Sequence, residues 1–452
     1  MAVHQVFYAA RQALSRHATG GNVLIFATVI ALVVANIPPL NVLYNDFWNQ
    51  EMRLQIGSFN LLSHAGHPMT VIQFINDALM ALFFFTIGLE IKREVLVGEL
   101  TSFRQALLPI MGAIGGMAIP VAIFMIMARG TDYASGAAIP MATDIAFSLG
   151  VLAMLGSRVP VSLKIFLTTL AVVDDIGGII VIATCYSSGI ELAYLGYAAI
   201  GLVILFIGGK LKIQSKMFYF ILGGIVWFLF LNSGVHPTIA GVLVAFTIPA
   251  TPVYAPENYI KIIRRNILRF KTDEEERVTS RTILDHDQMD WLKEIESASD
   301  KVISPLQDME DSLHPVVDYL IIPLFAFANA GIYLLDIDPA SIVQGLSLAV
   351  ILSLVGGKLL GIFTFSWLTV KFGWAPMPEN SSWPMMAGIA MLGGIGFTVS
   401  LFIANLTFGD AGEMSLLNNA KIGIVIASLL AGVLGYFILR KTTSAAQTPV
   451  ER

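Results

Sequence analysis

The amino-acid sequence is dominated by twelve apolar runs, most of them long enough to form a helix that crosses a membrane. About 20 apolar residues in an α-helix cover the roughly 30 Å hydrocarbon core of a bilayer. Only 13% of the 452 residues are charged, whereas soluble globular chains have about 25%. The sequence therefore predicts an all-α polytopic membrane protein with about twelve transmembrane helices, at roughly 21–37, 70–91, 105–127, 136–156, 163–184, 191–209, 217–231, 234–250, 315–334, 342–368, 384–406 and 418–439.

Charge and cysteine content exclude several classes of partner and site. The net charge of -5 shows no basic surplus of the kind that binds nucleic acid. Cys185 is the sole cysteine, so neither an internal disulfide nor a cysteine-based metal cluster can form. We expect membrane lipid around the chain and no nucleic-acid partner.

Lysine and arginine concentrate in alternate loops between the predicted spans. Because loops rich in these residues stay on the cytoplasmic side, this bias sets the orientation. The opposite loops are poor in basic residues and contain Arg53, Arg129, Lys421, Asp336, Asp338, Asp410 and Glu413. We expect both termini in the cytoplasm, on the side of Lys92, Arg93, Arg104, Arg158, Lys164, Lys210, Lys212, Lys216, Lys371, Arg440 and Lys441.

One charged segment interrupts the apolar chain. Residues 257–311 contain 9 Lys or Arg and 14 Asp or Glu, which predicts a cytoplasmic insert at 251–313, between spans eight and nine of a single membrane transport domain, 1–452. The acidic run Asp273–Glu276 and the residues to Ser304 are predicted to be flexible linker. The start of the insert is predicted to be either a helix lying on anionic lipid or a solvated linker helix, from the pattern of Ile260, Lys261, Ile263, Arg264, Arg265, Ile267, Arg269 and Phe270.

Polar residues interrupt the fourth predicted span. An Asp at the centre of a membrane helix costs about 2.5 to 3.5 kcal/mol on insertion scales, so such residues mark polar interiors. Thr143 and Asp144 follow Pro140, which tends to interrupt a helix. The Asp144 carboxylate is then expected beside backbone groups without helical partners, where it either attracts a cation or, with Thr143, only caps the broken helix.

Two adjacent carboxylates lie near the middle of the fifth predicted span. Asp174 and Asp175 are neighbours, and neighbours on a helix point about 100° apart. We expect one carboxylate to face a water-filled cavity and the other to meet a neighbouring helix. The alternative is a hydrogen-bonded pair that only fixes helix packing, although two carboxylates are costly at this depth.

Lys358 lies in the middle of the tenth predicted span, too deep for its ammonium to reach the membrane surface easily. We predict that it pairs with Asp174 or Asp175 in the ion-free state, which would couple their protonation. The alternative is a permanently charged lysine that serves packing only.

Further charged residues lie near the ends of the predicted spans. Asp77 is either an entrance residue or a simple surface carboxylate. Glu90, Arg93 and Glu94 share one helix face at the inner end of the second span, as an ordinary ion-pair cluster or as part of a pH-responsive entrance. His236, at the start of the eighth span, is either structural or pH-sensing.

Glycines cluster in the eleventh predicted span, at 393, 394 and 396. Tight helix packing explains such a cluster. However, the interrupted fourth span and the glycine-rich eleventh occupy the central positions of two three-span sets, three to five and ten to twelve. The offset of seven spans makes the two sets antiparallel. This arrangement predicts inverted repeats with two discontinuous helices crossing near the midplane.

These motifs resemble the NhaA-type sodium/proton antiporter family from about Ile75 to about Tyr436. The resemblance is carried by specific runs of sequence: Asn76-Asp77-Ala78-Leu79-Met80, Gly88-Leu89-Glu90-Ile91-Lys92-Arg93-Glu94, Ala142-Thr143-Asp144-Ile145-Ala146-Phe147, Asp174-Asp175, Ser233-Gly234-Val235-His236, Pro323-Leu324-Phe325-Ala326-Phe327-Ala328-Asn329-Ala330-Gly331 and Gly394-Ile395-Gly396-Phe397-Thr398. It implies twelve helices with crossed, unwound fourth and eleventh spans. It also implies electrogenic, pH-regulated export of Na+ or Li+ in exchange for protons by alternating access.

The resemblance also implies roles for individual residues. Asp175 would be the main Na+ and proton carboxylate, with Asp174 beside it, Asp144 compensating the unwound helix ends and Lys358 as the intramembrane partner. Glu90, Arg93, Glu94 and Glu310 would form the cytoplasmic pH-responsive region. A homodimer in a Gram-negative inner membrane is implied as well, and no cofactor is expected. The chain departs from the family pattern in having Gln307 and Asp308 before His314, where basic residues are usual.

Two rival classes also use membrane carboxylates. An intramembrane aspartyl protease would activate water with paired aspartates, but its opposed carboxylates would come from two helices. A passive cation channel would conduct ions without coupling them to protons. A protease also has no evident need for Lys358, and the lack of proton coupling would distinguish a channel.

Overall fold

The computed structural model describes residues 20–56, 59–60, 62–64, 67–187, 189–252, 254–269, 284, 286–333, 342, 344–409 and 411–444. These residues form sixteen α-helical segments: α1 Gly20–Asn36, α2 Pro38–Trp48, α3 Val71–Val97, α4 Phe103–Met127, α5 Ile145–Leu155, α6 Val161–Cys185, α7 Leu192–Lys210, α8 Lys216–Leu231, α9 Thr238–Thr247, α10 Pro256–Arg269, α11 His286–Val302, α12 Pro305–Asn329, α13 Gly345–Lys371, α14 Trp383–Leu392, α15 Phe397–Gly409 and α16 Met414–Ser444. Short 3-10 helices occupy Glu99–Thr101, Ala134–Met141 and Gly156–Arg158.

The predicted membrane architecture is confirmed. Eight helical stretches of the described chain are long and apolar enough to cross a membrane, including Ala134–Arg158. Two bent helix pairs, α1 with α2 (113°) and α14 with α15 (40°), and two shorter apolar helices, α8 and α9, account for the other four predicted spans. The termini, 1–19 and 445–452, and the loop residues Asp336, Asp338 and Asp410 lie outside the described residues, so the predicted orientation stays a prediction.

The loop between the first two spans contains a small amount of β-structure that the sequence analysis did not predict. Strands β1 Gln55–Ile56 and β2 Phe59–Asn60 form one antiparallel hairpin. Strands β3 Ser63–His64 and β4 His67–Pro68 form a second. Both hairpins precede α3, so the membrane-spanning part keeps its all-helical character.

The fourth and eleventh spans are both discontinuous, as predicted. In the fourth, the 3-10 helix Ala134–Met141 ends, the chain is extended at Ala142, and α5 begins at Ile145. In the eleventh, α14 ends at Leu392 and α15 begins at Phe397. Because Gly394 lacks a side chain, the Leu354 carbonyl can approach: a Cβ there would lie only 2.6 Å from its oxygen.

The two breaks contact each other through hydrogen bonds between backbone and hydroxyl groups. The Asp144 amide donates to the Ile395 carbonyl at 2.6 Å. The Thr143 hydroxyl donates to the Gly393 carbonyl at 2.9 Å. The Ser400 hydroxyl donates to the Ile139 carbonyl at 2.8 Å. Backbone groups that a continuous helix would satisfy are thus satisfied across the crossing, as membrane interiors require.

Close packing of two helices positions Lys358 at this crossing. Helices α4 and α13 meet at Gly115 and Gly361, where a Cβ at Gly361 would lie 2.1 Å from the Gly115 carbonyl oxygen. Small residues allow such backbone approach between membrane helices. Lys358 lies one turn before Gly361 on α13, and its side chain is fully buried.

The described part of the insert is a pair of packed helices, so the prediction of flexible linker to Ser304 is wrong for its second half. Helix α11 packs along α10, with Arg265 paired to Glu294 and the Tyr259 hydroxyl 3.1 Å from that of Ser299. The Asn266 amide, fully buried, donates to Glu294 at 3.0 Å. The partner helix is what stabilises α11, because its own composition resembles that of a linker. Phe270, Lys271 and Asp273–Glu276 lie outside the described residues.

Candidate functional site

The two adjacent aspartates of α6 have different surroundings, as predicted. Asp174 Oδ2 lies 2.5 Å from Lys358 Nζ, and both side chains are fully excluded from solvent. Asp175 instead lines a cavity of about 340 Å³, although only 4% of the residue is exposed. It accepts no hydrogen bond from the described residues. Of the two partners considered for Lys358, the structure selects Asp174.

The Lys358 ammonium uses all three of its hydrogen-bond donors. Besides Asp174 it contacts the Thr143 hydroxyl at 3.0 Å and the Met141 carbonyl. Met141 is the last residue of the 3-10 helix, and cations are stabilised at the carbonyl end of a helix. Lys358 therefore joins the unwound fourth span to α6 and α13. This geometry fits both alternatives for Lys358, an amine that exchanges its proton and an amine that stays permanently charged.

Asp144 caps two helices at once. Its Oδ1 accepts from the Phe147 amide at 2.9 Å, at the start of α5. Its Oδ2 accepts from the amide and the hydroxyl of Thr398, at 3.0 and 2.7 Å, at the start of α15. A carboxylate between two helix N-termini compensates their positive ends. This supports the capping alternative for Asp144. Thr398 is a site residue that the sequence analysis quoted but did not assign.

The cavity at Asp175 is strongly acidic. The described residues that line it include four carboxyl side chains, and His314 is the single basic residue among them. Hydroxyls of Thr86, Thr143, Thr168 and Thr398 also line it. Such oxygen donors suit a hard cation such as Na+. The four carboxyl residues are Glu90, Asp144, Asp175 and Asp318. Of these, Asp318 was not predicted from the sequence.

Three of the predicted pH-responsive residues, Arg93, Glu94 and Glu310, form one cluster between α3 and α12. Arg93 pairs with Glu310 and lies 3.1 Å from Glu94. His314 Nε2 lies 3.5 Å from Glu310 Oε1. Glu90 does not join these pairs but lines the Asp175 cavity. The cavity therefore extends towards the end of the spans that carries Arg93, which we call the basic end.

His236 and Asp77 lie at the opposite end. Asp77 precedes Arg93 by sixteen residues on α3, which is about 24 Å at 1.5 Å per residue. His236 Nε2 lies 3.8 Å from Asp77 Oδ1, and both residues are only 9% exposed. The alternative of a simple surface carboxylate at Asp77 is wrong, because that residue is buried. His236 is separated from the cluster at the basic end.

A chain of three side-chain amides was not predicted from the sequence. The Asn329 amide donates to Asn76 at 2.9 Å, and the Asn405 amide donates to Asn329 at 2.8 Å. These residues connect α3, α12 and α15, and Asn76 and Asn405 lie in π-helical turns. Wide turns of this kind often occur at functional positions. Single asparagines far apart in sequence gave no signal of this contact.

The sequence of the chain is similar to a family of known proteins. The family described as Na+/H+ antiporter 1 matches residues 11–439. A relative from Phocaeicola vulgatus named "Na(+)/H(+) antiporter NhaA" is 53% identical over 432 residues, covering 95% of each chain. Relatives from Bacteroides thetaiotaomicron (NhaA, 51% identical, covering 93% of this chain and 94% of the relative) and Syntrophotalea carbinolica (NhaA 2, 44%, covering 94% and 95%) extend the similarity. The chain belongs to the Na+/H+ antiporter 1 family of multi-pass membrane proteins.

Proposed function

We propose that this protein exports Na+ or Li+ in exchange for protons by alternating access. The observation that carries the proposal is the cavity that connects Asp175, buried and without a hydrogen-bond partner among the described residues, to the basic end. An uncompensated carboxylate is costly in a membrane interior. A proton or an alkali cation at Asp175 removes that cost, so the two compete for one site.

Asp174 and Lys358 are proposed to support this exchange. Asp174 lies beside Asp175 in sequence and holds Lys358 through a buried ion pair. Protonation of Asp174 or release of a proton from Lys358 would give the cycle a second exchangeable proton. A cycle that moves net charge gains about 2.3 kcal/mol per charge from each 100 mV of membrane potential. We therefore propose that the exchange is electrogenic.

A second cavity, of about 820 Å³, supports alternating access. Its lining includes Met117, Met141 and Tyr186 but not Asp175. Met117 lies against Gly177, where a Cβ would be 2.1 Å from its sulfur. The side chain of Met117 thus fills the space next to the turn of α6 that carries Asp175. We propose that movement at this contact opens the site to the opposite end.

The remaining properties are proposals of the same kind. The chain is proposed to act without a cofactor or a nucleic-acid partner, as a homodimer in the cytoplasmic (inner) membrane, with both termini cytoplasmic. Residues 1–452 would form one transport domain with the insert 251–313 on its cytoplasmic side. The transport cycle makes and breaks no covalent bond in a substrate, so no enzymatic activity is proposed.

The pH response is proposed to arise at the basic end, from Glu90, Arg93, Glu94 and Glu310. His236, 3.8 Å from Asp77, is proposed as a second responsive position, and Asp77 as an entrance residue at the opposite end. The pH profile of Arg93→Gln should differ from that of wild type. Arg104→Gln, also near the basic end but exposed, is the control. Identical profiles for all three proteins would contradict this assignment.

The central test measures collapse of a proton gradient by added Na+ in vesicles that contain the protein. Wild type should respond, and Asp175→Asn should not at any pH between mildly acidic and alkaline values. Asp132→Asn, an exposed carboxylate, should respond like wild type. Sodium movement without proton movement would indicate a channel, and wild type without Na+-dependent proton movement would contradict the proposal.

A further inference from the structure

The lining of the Asp175 cavity includes Asp318, a carboxylate near the basic end. Asp318 lies on α12, four residues after His314, and both line the cavity. At 1.5 Å per residue, Asp318 is about 6 Å deeper into the membrane domain than His314. Among the described residues that line the cavity, the other carboxylates are Glu90, Asp175 and the helix-capping Asp144. Asp318 therefore lies between the basic end and the helix crossing.

The packing around Asp318 preserves space for its side chain. Helix α1 begins at Gly20, where a Cβ would lie 3.0 Å from the Asp318 Cβ. At the adjacent Gly21 a Cβ would lie 3.0 Å from the Ala146 carbonyl oxygen of α5. Helix α1 thus closes the cavity wall between α12 and α5 with two glycines. Larger residues would push against Asp318 or against the start of α5.

The charges that face this space favour a cation. Glu90 from α3, Asp144 from α5 and Asp175 from α6 line the same cavity as Asp318. Among the described residues of that lining, His314 is the one basic residue, and it lies 3.5 Å from Glu310. A narrow, low-dielectric space lined by one sign of charge concentrates counter-ions. Asp175, buried and unpartnered within the described chain, marks where such a cation is finally held.

We propose that Asp318 is a second contact for the alkali cation, a holding subsite that the ion occupies between the basic end and Asp175. This inference rests on the proposed function, since it adds a step to the path of the same ion. Asp318 retains a cation while Asp175 is occupied by a proton. Its loss lowers the effective Na+ concentration at Asp175 and leaves Asp175 itself unchanged.

The test compares Asp318→Asn with Asp311→Asn, which removes a carboxylate two turns earlier on the same helix at an exposed position. Each protein is assayed for ²²Na+ binding and for Na+-driven proton movement. Asp318→Asn should raise the KM for Na+ about tenfold at low ionic strength and keep the maximal rate. The difference should shrink when choline chloride screens the cavity mouth. Asp311→Asn should change neither quantity, and Asp318→Glu should restore most of the affinity.

Several results would overturn the subsite. An unchanged KM and unchanged ²²Na+ binding in Asp318→Asn would do so. A lowered maximal rate at constant KM would show that Asp318 only supports the fold. Failure of the proposed function can be distinguished from failure of the subsite. In the first case wild type would bind ²²Na+ without moving protons. The comparison of ²²Na+ binding between wild type and Asp318→Asn would still test the subsite. If Asp318→Asn does not fold, Asp318→Ser serves in the same comparison.

Discussion

Asp174 and Asp175 are consecutive residues of α6, yet one is locked in an ion pair and the other lines an acidic cavity. The roughly 100° between successive side chains on a helix produces this division. One side chain points to α13 and Lys358, and the other points between α3, α5 and α12. The ion pair fixes the rotation of α6 and thereby keeps Asp175 directed into the cavity.

Breaking the buried pair should destabilise the fold. In Asp174→Asn the buried Lys358 amine loses its carboxylate partner, and removal of one partner from a buried pair costs about 3 to 5 kcal/mol. The double variant Asp174→Asn/Lys358→Met should recover most of that loss, since neither partner of the ion pair is left without the other. The free energy of unfolding in detergent micelles, measured for the single and the double variant, tests both the loss and the recovery of stability. Asp132→Asn is the exposed control, and equal instability of the single and double variants would contradict the argument.

The Thr398 hydroxyl should be needed to hold the two broken helices together. Thr398→Val keeps the side-chain shape but removes the 2.7 Å hydrogen bond to Asp144. A hydrogen bond to a charged group contributes about 1.5 to 3 kcal/mol, so unfolding should occur at lower denaturant concentration. The rate of Na+/proton exchange should fall together with the stability, because the starts of α5 and α15 lose this hydrogen bond of their shared cap, Asp144. Thr398→Ser retains the hydroxyl and should behave like wild type; equal loss in both variants would point to packing instead.

The contact between α4 and α13 should tolerate no side chain. Gly361→Ala places a Cβ 2.1 Å from the Gly115 carbonyl oxygen, and overpacking of this kind costs about 1 to 3 kcal/mol. Separation of the helices would also displace Lys358 from Asp174. Gly356→Ala, on the same helix with no atom within 4 Å of the added Cβ, is the matched control. Thermal unfolding should separate the two variants, and indistinguishable curves would exclude this packing role.

Much of the site was predictable because its residues are costly in a membrane. Carboxylates at 144, 174 and 175 and the amine of Lys358 stand out in apolar spans, and Pro140 marks a helix break. The choice of Asp174 as partner was not predictable. Both aspartates lie on one turn of α6, and the rotation of α6 relative to α13 depends on tertiary packing.

Residues near the helix ends were harder to assign. Asp318 lies one turn beyond His314, close enough to the insert to resemble an ordinary surface carboxylate. Only the approach of α1 at Gly20 makes it part of a cavity wall. Helix α11 was missed for a related reason, since its stability comes from pairing with α10. Contacts between segments far apart in sequence determine both features. Such contacts cannot be predicted from local composition.

The outer face of α10 should lie on anionic lipid and not in bulk water. Ile260, Ile267 and Leu268 are 61%, 59% and 69% exposed, and Lys261 and Arg264 lie between them on the same exposed face. The two ends of the insert are held together at the membrane domain, because the Leu306 amide at the start of α12 donates to the Pro249 carbonyl at 3.3 Å. Apolar residues interleaved with basic ones suit the headgroup region of anionic bilayers.

A fluorescent label on one introduced cysteine can test where α10 lies, because the chain has a single native cysteine, Cys185, to replace. In a Cys185→Ser background, an environment-sensitive fluorophore on Ile267→Cys should emit at shorter wavelength in vesicles rich in phosphatidylglycerol than in pure phosphatidylcholine. The same label on Asp290→Cys, an exposed position of α11, should not respond to lipid charge. Replacing Lys261 and Arg264 by Gln should remove the difference, because the attraction to anionic headgroups contributes about 1 kcal/mol per basic residue. Water-like emission at Ile267 in both lipids would identify α10 as a solvated linker helix.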